Sequence, residues 1–497
     1  MQPRQASTLP NTDGWRLEHT YAGLPAPFHS PASPSPVAAP RLVVLNRPLA
    51  ISLGLNPDAL AGPEGAAIFA GNVLPPGAAP LAQAYAGHQF GNFTRLGDGR
   101  AILLGEQVAP SGDRFDIQLK GPGRTPYSRR GDGRAALGPM LREYIISQAM
   151  HALGIPTTRS LAVAATGETV WRESALPGAV LTRVAASHIR VGTFEWAAAH
   201  EDVALTRTLL NYTIRRHYPE LAGADEPVVA FLDAVMERQA ALLARWMHVG
   251  FIHGVMNTDN MAVSGETIDY GPCAFMDAYD PATVFSSIDV RGRYAYGNQP
   301  AIAQWNLTRL VEATLLPVVA DEAKGVELAT TLLGRFAQRY QEHWLAGMRR
   351  KLGLFNAEPG DAALVQALLD WMQASKADFT NTFAGLDPEL PANHPHRSDP
   401  TFLAWQESWL ARLARQSQSA AESQKLRDAT NPAFIPRNHL VEAALSAAAQ
   451  DDLSLMQRLL DVLATPYDHT RRRDPAFVAY TQPAPASEAG YQTFCGT

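Results

Sequence analysis

An α+β fold, with strands first and helices after, is what the order of residue patterns predicts. Short apolar, β-favouring runs occupy the chain from about Gly97 to Arg190, one amphipathic helix interrupts them, and helical periodicity takes over from about residue 200. A length of 497 residues suits one two-lobed molecule with extensions. A hydrophobic content of 46% gives it an ordinary globular core.

Taken in order, residues 24–40 (LPAPFHSPASPSPVAAP) hold too much Pro and Ser for a regular helix. They are read as part of an N-terminal extension, 1–95, that wraps the core before RLVVLN and LAISLGL begin regular structure. AILLGEQ, FDIQLKG, SLAVAA and TVWRE follow as strands separated by Gly, Pro and Asp, with ATGE at 165–168 as a hairpin turn. The interrupting helix, LREYIISQAMHAL, aligns Leu141, Ile145, Ala149 and Leu153 on one face and stops at Gly154, with Pro156 just beyond. Helical patterns then run through DVALTRTLLNYTIRRHY and PVVAFLDAVMERQAALLARWMHVG, and on to ALVQALLDWMQ, LVEAALSAAA and DDLSLMQRLLDVLA. The Pro-rich finish is not expected to enter a core.

Composition excludes several classes. A net charge of −6 lacks the basic stripe of a dedicated nucleic-acid binder. MQPRQASTLPNTDGW has no apolar segment to serve as a secretory signal, and no run of about 18 apolar residues suggests a membrane span. Two cysteines are too few for a stapled secreted fold, so a cytoplasmic location is expected, with a monomer as the working species. GxxxxGK[ST], HExxH, paired CxxC and GxSxG are all absent, which removes P-loop, zinc and common serine-hydrolase chemistry.

Chemistry concentrates in HGVMNTDN, 253–260, and in IDYGPCAFMD, which begins at Ile268. His253-Gly254-Val255, Asn260 and Asp269-Tyr270-Gly271 have the spacing of a kinase catalytic loop and metal loop. Asn260 and Asp269 offer hard oxygen ligands for a divalent cation held against nucleotide phosphates. Val255 stands where a kinase carries the carboxylate that positions the accepting hydroxyl, and Asp259 is the nearby carboxylate, displaced by four residues. Lys120 ends a strand-like run, and Glu143 lies 23 residues on, in the helix, placed to pair with it. The layout is that of a protein-kinase-like two-lobed fold: a strand-rich lobe at 96–190, a helical lobe with the catalytic and metal loops at 191–350, and a helical region with a Cys-bearing tail at 351–497.

Further anion-binding candidates surround this set. Gly97 and Gly99, followed by Arg100, either let backbone approach phosphate or simply form a turn. A second such run, Gly131-Asp132-Gly133 after TPYSRR, is either a solvent loop or an added clamp on nucleotide. Arg183 and Arg190, seven apart near the expected hinge, are either salt-bridge partners or bidentate phosphate ligands.

YAGHQFGNFTRLGDGRA, DIQLKGPGRTPYSRRGDGRAALGPMLREYIISQAMHALGIPTTRSLA, HGVMNTDNM and DYGPCAFMD resemble the selenoprotein O family, the kinase-fold protein adenylyltransferases, over nearly the whole chain. The resemblance implies ATP bound flipped relative to ordinary kinases, AMP transferred to Ser, Thr or Tyr hydroxyls of protein substrates, and pyrophosphate released. It also implies use of UTP, especially with Mn2+. Carried onto this sequence, Gly97, Gly99, Arg100, Lys120, Asp132, Gly133, Arg183 and Arg190 contact nucleotide, Asn260 and Asp269 hold Mg2+ or Mn2+, and Asp259 is the general base. Where the family name suggests selenocysteine, this chain has Cys495. Two other readings stand beside this one: an atypical kinase transferring the γ-phosphate, and a non-catalytic nucleotide-binding pseudokinase. Cys273, two residues after the Asp-Tyr-Gly, and Cys495 are either unrelated thiols or a redox disulfide that pins the tail across the active-site loop.

Overall fold

Alternating apolar residues in AILLGEQV and RFDIQLK make neighbouring antiparallel strands, Ala101–Val108 and Arg114–Lys120, joined by a tight turn at Pro110–Gly112. In the computed structural model, which describes residues 13–319, 321–389, 396–485 and 490–493, these strands lie inside a nine-stranded sheet. Its main path runs His29–Pro31, Leu81–Gln83, Ala101–Val108, Arg114–Lys120, Ala175–Ala185, Arg159–Trp171, Arg41–Leu45. Leu17–Glu18 and Ala135–Ala136 add to it off that path. The sheet belongs to the first of two compact units, made of Met1–Tyr85, Arg95–Tyr144 and Thr158–His188. Four of its strands therefore come from the segment expected to be an extension.

Ile102, Leu104, Ile117, Leu119, Leu161 and Val180 bury their side chains in this unit's core together with Leu49, Leu53, Leu60 and Phe69, from the short helices Arg47–Ser52, Pro57–Leu60 and Pro63–Phe69 and their flanks. Each such side chain contributes roughly 1.5–3 kcal/mol of transfer free energy.

One turn falls elsewhere than expected. Residues 159–171 form a single strand, and ATGE is an irregularity inside it, where the register shifts between Ala165 and Thr169. Gly167 does adopt the left-handed backbone, with φ +70°, but it serves a bulge against Ala39. The chain reverses instead at Arg172–Ser174, before the strand Ala175–Ala185.

The interrupting helix spans Leu137–Ala152, with Leu141, Ile145 and Ala149 buried along it. Gly154, at φ +74°, terminates it, and Ile155 N–H returns to Met150 O at 2.9 Å. Its residues to Tyr144 count with the first unit and the remainder with the second.

The second unit comprises Ala86–Thr94, Ile145–Thr157 and Ile189–Thr497. Its long helices Pro227–Val249 and Glu322–Lys351 meet through Arg339, which pairs with Asp233 (2.9 Å) and Glu237 (3.2 Å). At one crossing a Cβ on Gly347 would sit 1.9 Å from the His248 ring, so only glycine fits. Pro227–Val249 ends on Gly250 in the left-handed conformation. The chain passes directly into Phe251–Ile252, which pairs with Ala274–Phe275. That two-residue ladder brackets both motif loops.

The chain's end is not merely peripheral. Thr493 is buried, its N–H donates to Phe285 O at 2.7 Å, and its hydroxyl donates to Pro272 O at 2.7 Å. Cys495 lies outside the described residues. Among the described residues no helix is long and apolar enough to cross a membrane.

Candidate active site

The residues singled out by the sequence fall into two sets, one in each unit. In the first unit Lys120, at the end of its strand, is buried, and its ammonium donates to Glu143 Oε2 at 2.8 Å. The other carboxylate oxygen of Glu143 accepts from Arg183 Nε at 2.6 Å, and Arg183 also reaches Gln118 Oε1 at 3.4 Å. One buried carboxylate thus holds two cations. The register aligns Arg183 with Gln118 and Leu181 with Lys120 on adjacent strands, which is why these groups meet. Arg183 is therefore a buried ion-pair partner and no surface salt bridge, and Arg190 belongs to the other unit.

The glycines of the first unit have packing reasons of their own. Gly97 has φ +129°, and a Cβ there would lie 2.5 Å from the Tyr127 ring; at Gly99 it would lie 3.0 Å from Tyr127 O. Arg100, between this turn and the strand, has no side-chain partner among the described residues. Asp132 is committed to Arg172 through contacts of 2.9 and 3.1 Å, and that guanidinium, its strongest influence, holds the carboxyl below the usual range. Gly133, at φ +69°, sits so close to Gly123 that a Cβ would meet Gly123 O at 2.0 Å. Asp132 and Gly133 therefore shape a turn.

In the second unit His253 ties the two motif loops together. Its Nε2 faces Ile268 O at 2.9 Å, an acceptor only, so Nε2 carries the proton; Val255 N–H approaches Nδ1 at 3.4 Å. Burial lowers its pKa and keeps the ring neutral. Gly254 (φ +83°) packs so that a Cβ would meet Pro272 O at 2.5 Å, closing the first loop onto the second. Asp269 itself has φ +64°, a conformation that costs a non-glycine residue about 1–3 kcal/mol and clusters at functional sites.

Asp259 is buried between two glycines. A Cβ on Gly87 would strike its Oδ1 at 2.2 Å, and one on Gly192 would meet Ala86 O at 2.0 Å and Asp259 Cα at 3.4 Å. Asp259 Oδ1 has no hydrogen-bond partner among the described residues. Burial pushes this carboxyl up to about 7 against the opposing pull of Arg190, and the charges of Asp269 and Glu195 add to the rise. Arg190 also donates from Nη1 to Asp259 O at 3.3 Å. The neighbouring Asn260 donates its amide to Val255 O at 3.0 Å, which leaves its Oδ1 as the outward, metal-competent end.

No group of three or more His, Cys, Asp or Glu side chains able to hold a metal exists among the described residues. The oxygens of Asn260 and Asp269, next to a buried carboxylate oxygen that nothing satisfies, are nevertheless the hard donors that a phosphate-bound divalent cation uses. Such oxygens would suit Mg2+ or Mn2+.

Three residues that sequence reasoning passed over complete the second set. His88 N–H donates to Thr258 Oγ1 at 2.7 Å, Thr258 donates to Glu195 Oε2 at 2.6 Å, and His88 Nδ1 meets Glu195 Oε1 at 2.5 Å. Burial raises the Glu195 pKa, opposed by these same hydrogen bonds. The clamp fixes the residue before Asp259. Its only sequence signal was the glycine-flanked His in YAGHQFG, with the carboxylate 107 residues away.

Residues 16–464 match the family model described as protein adenylyltransferase SelO. The chain is similar to the protein nucleotidyltransferase YdiU of Shouchella clausii (58% identity, covering 97% of this chain and 99% of that protein). It is similar to those of Brevibacillus brevis (59%; 97% and 98%) and Bacillus mycoides (56%; 99% and 100%).

Proposed function

The chain belongs to the protein adenylyltransferase SelO family, and from this membership we propose that it moves AMP from ATP onto Ser, Thr or Tyr hydroxyls of proteins and releases pyrophosphate. UTP serves as an alternative donor, with UMP transferred. The fold is read as protein-kinase-like, with a strand-rich lobe at 96–190 and a helical lobe at 191–350, flanked by the regions 1–95 and 351–497. A strand lysine paired at 2.8 Å with a helix glutamate supports that reading.

The observation that carries the proposal is Asp259: a buried carboxylate with an unsatisfied oxygen and a pKa of about 7, in a loop where Val255 replaces the kinase carboxylate. Such a group is matched to proton removal near neutrality. The acceptor oxygen bonds to the α-phosphorus, the bond from that phosphorus to the β-phosphate bridging oxygen breaks, and the hydroxyl proton passes to Asp259. Lys120 and Arg183, oriented by Glu143, neutralise phosphate charge, and Arg100 and Arg190 add to it. Asn260 and Asp269 would hold Mg2+ or Mn2+, which supplies charge neutralisation at the phosphates. For Gly97, Gly99, Asp132 and Gly133 as nucleotide contacts, the support is the family resemblance alone.

ATP labelled separately at the α- and γ-phosphates tests the direction of transfer. The α-label is expected on protein, with the mass of AMP on a hydroxyl side chain. Protein-bound γ-label alone would make this a kinase and overturn the proposal.

A further inference from the structure

A cavity of about 380 Å3 opens in the second unit, lined by none of the residues placed above in the active site. The helix Pro227–Val249 gives it Arg245 and His248, and Glu322–Lys351 gives it His343 and Arg350. Thr430 and Tyr467 complete the polar wall, and the loop Leu153–Ile155 closes one side. No carboxylate is among the described lining residues.

Two guanidinium groups dominate the polar lining, while His343 Nε2 is already held by Glu237 Oε1 at 2.7 Å. The Arg350 side chain makes no hydrogen bond or ion pair with any described residue. Arg245 spends Nη1 on Gly154 O at 2.7 Å and keeps its other donors. Behind the wall the buried Lys351 amine lies 4.2 Å from the Phe383 ring centroid, with no acidic partner among the described residues. Burial holds His248 down to about 4, and Lys351, Arg245 and His343 each push its pKa further down, as a positive surrounding must.

The closing loop leads to the metal loop. Pro156 O accepts from Thr267 N–H at 2.9 Å and from Thr267 Oγ1 at 3.0 Å, and Thr157 Oγ1 hydrogen-bonds the Tyr270 hydroxyl. Residues 153–157 thus form a cavity wall at one end and brace both flanks of Asp269 at the other.

We propose that this cavity binds a small phosphate-bearing anion through Arg245 and Arg350, and that occupation stiffens 153–157 and the loop carrying Asp269. Its volume lies at the small end of ligand sites, roughly 300–1,000 Å3, which suits a small phosphomonoester. Guanidinium forks match phosphate oxygens bidentately.

Calorimetric titration of the full chain in chelator, with inorganic phosphate and with glycerol 3-phosphate as probes, tests the site. Both should bind: tighter binding of the ester identifies a phosphomonoester ligand, and equal binding identifies phosphate itself. Arg350→Glu and Arg245→Gln should each weaken binding about tenfold or more, while Lys120→Ala, altered in the proposed nucleotide site, should leave it unchanged. Hydrogen exchange should slow at 153–157 and 267–270 on binding. Absence of heat and of exchange protection at roughly 10 mM probe, weaker than the affinity range of any useful site, would overturn the proposal. So would binding lost in Lys120→Ala but kept in Arg350→Glu.

Discussion

Asp259 is asked to be buried and yet to give and take a proton near neutrality. Its carboxyl is pushed up from 3.8 to about 7, burial being the first cause, so the folded metal-free protein holds a proton that the unfolded chain has already lost. The sign follows: the stabilising contribution is complete below about pH 4 and disappears as pH rises through about 7. Above that, an ionised carboxylate is trapped in a poorly solvated place. Asp259→Asn should therefore raise stability in chelator at pH 8.5 by a few kcal/mol, about half as much at pH 5.5, and slow transfer roughly 10²–10⁴-fold. Urea melts at the two pH values, beside initial rates with metal, check it; a gain equal at both would show that the charge is not the cause. Residue-scale chemistry was legible where sequence spacing alone encodes it, as with the ion pair of Lys120 and Glu143. It was illegible where long-range pairing decides, so Arg183 turned out to share Glu143 with Lys120, and the clamp of His88, Thr258 and Glu195 left no local mark.

The elements were legible from periodicity, but an irregular strand and the short edge strands were not. A glycine that signals a left-handed residue says nothing of whether a turn or a bulge will use it, and Gly167 makes a bulge. Strands as brief as Leu17–Glu18 and His29–Pro31 carry too few residues to show alternation, so their membership in the sheet is dictated by neighbours. Helix Glu322–Lys351 illustrates the cost of burying its last residue. Lys351 is held down from 10.5 to about 7 by burial. The unfolded chain therefore binds more protons between those values, and stability should climb as pH rises from about 7 towards 10.5. Lys351→Met, which keeps the stem packed on Phe383, should raise the melting temperature at pH 7, with a gain worth a few kcal/mol less the lost cation–π contact of about 1 kcal/mol. A neutral or lower melting temperature would mean that the ammonium is solvated in the native state. In the same helix Gly347→Ala should be strongly destabilising, by about 2–4 kcal/mol, because the His248 ring stands 1.9 Å from the new Cβ and is itself hydrogen-bonded to Trp344 O. Thermal melts of the two variants should move in opposite directions.

At the scale of the whole chain, Thr493 returns to the loop that follows Asp269. Thr493, from the far end of the sequence, donates its hydroxyl to Pro272 O at 2.7 Å, one residue before the buried Cys273, while its backbone pairs with Phe285 and Ser287. Tyr491 strengthens the attachment through Glu442 at 2.7 Å. Composition gave no sign of this, since a Pro- and Ala-rich tail has no periodicity and its docking rests on a handful of backbone bonds. The consequence bears on Cys495, two residues beyond Thr493. Thr493 is anchored on Pro272 O and Cys495 follows it by two residues in sequence, and a disulfide to Cys273 would need Cα atoms within about 7 Å. Oxidation is therefore expected to join Cys273 to Cys495, to raise stability by up to about 4–5 kcal/mol for so long a loop, and to restrain the segment next to Asp269. Peptide mapping without reductant should recover the linked pair, and transfer activity should rise on reduction. Cys495→Ser should be active without reductant and indifferent to it. If no linked peptide forms under oxidising conditions, or if wild-type activity ignores reductant, the anchored tail is a structural brace and the thiols have no regulatory part.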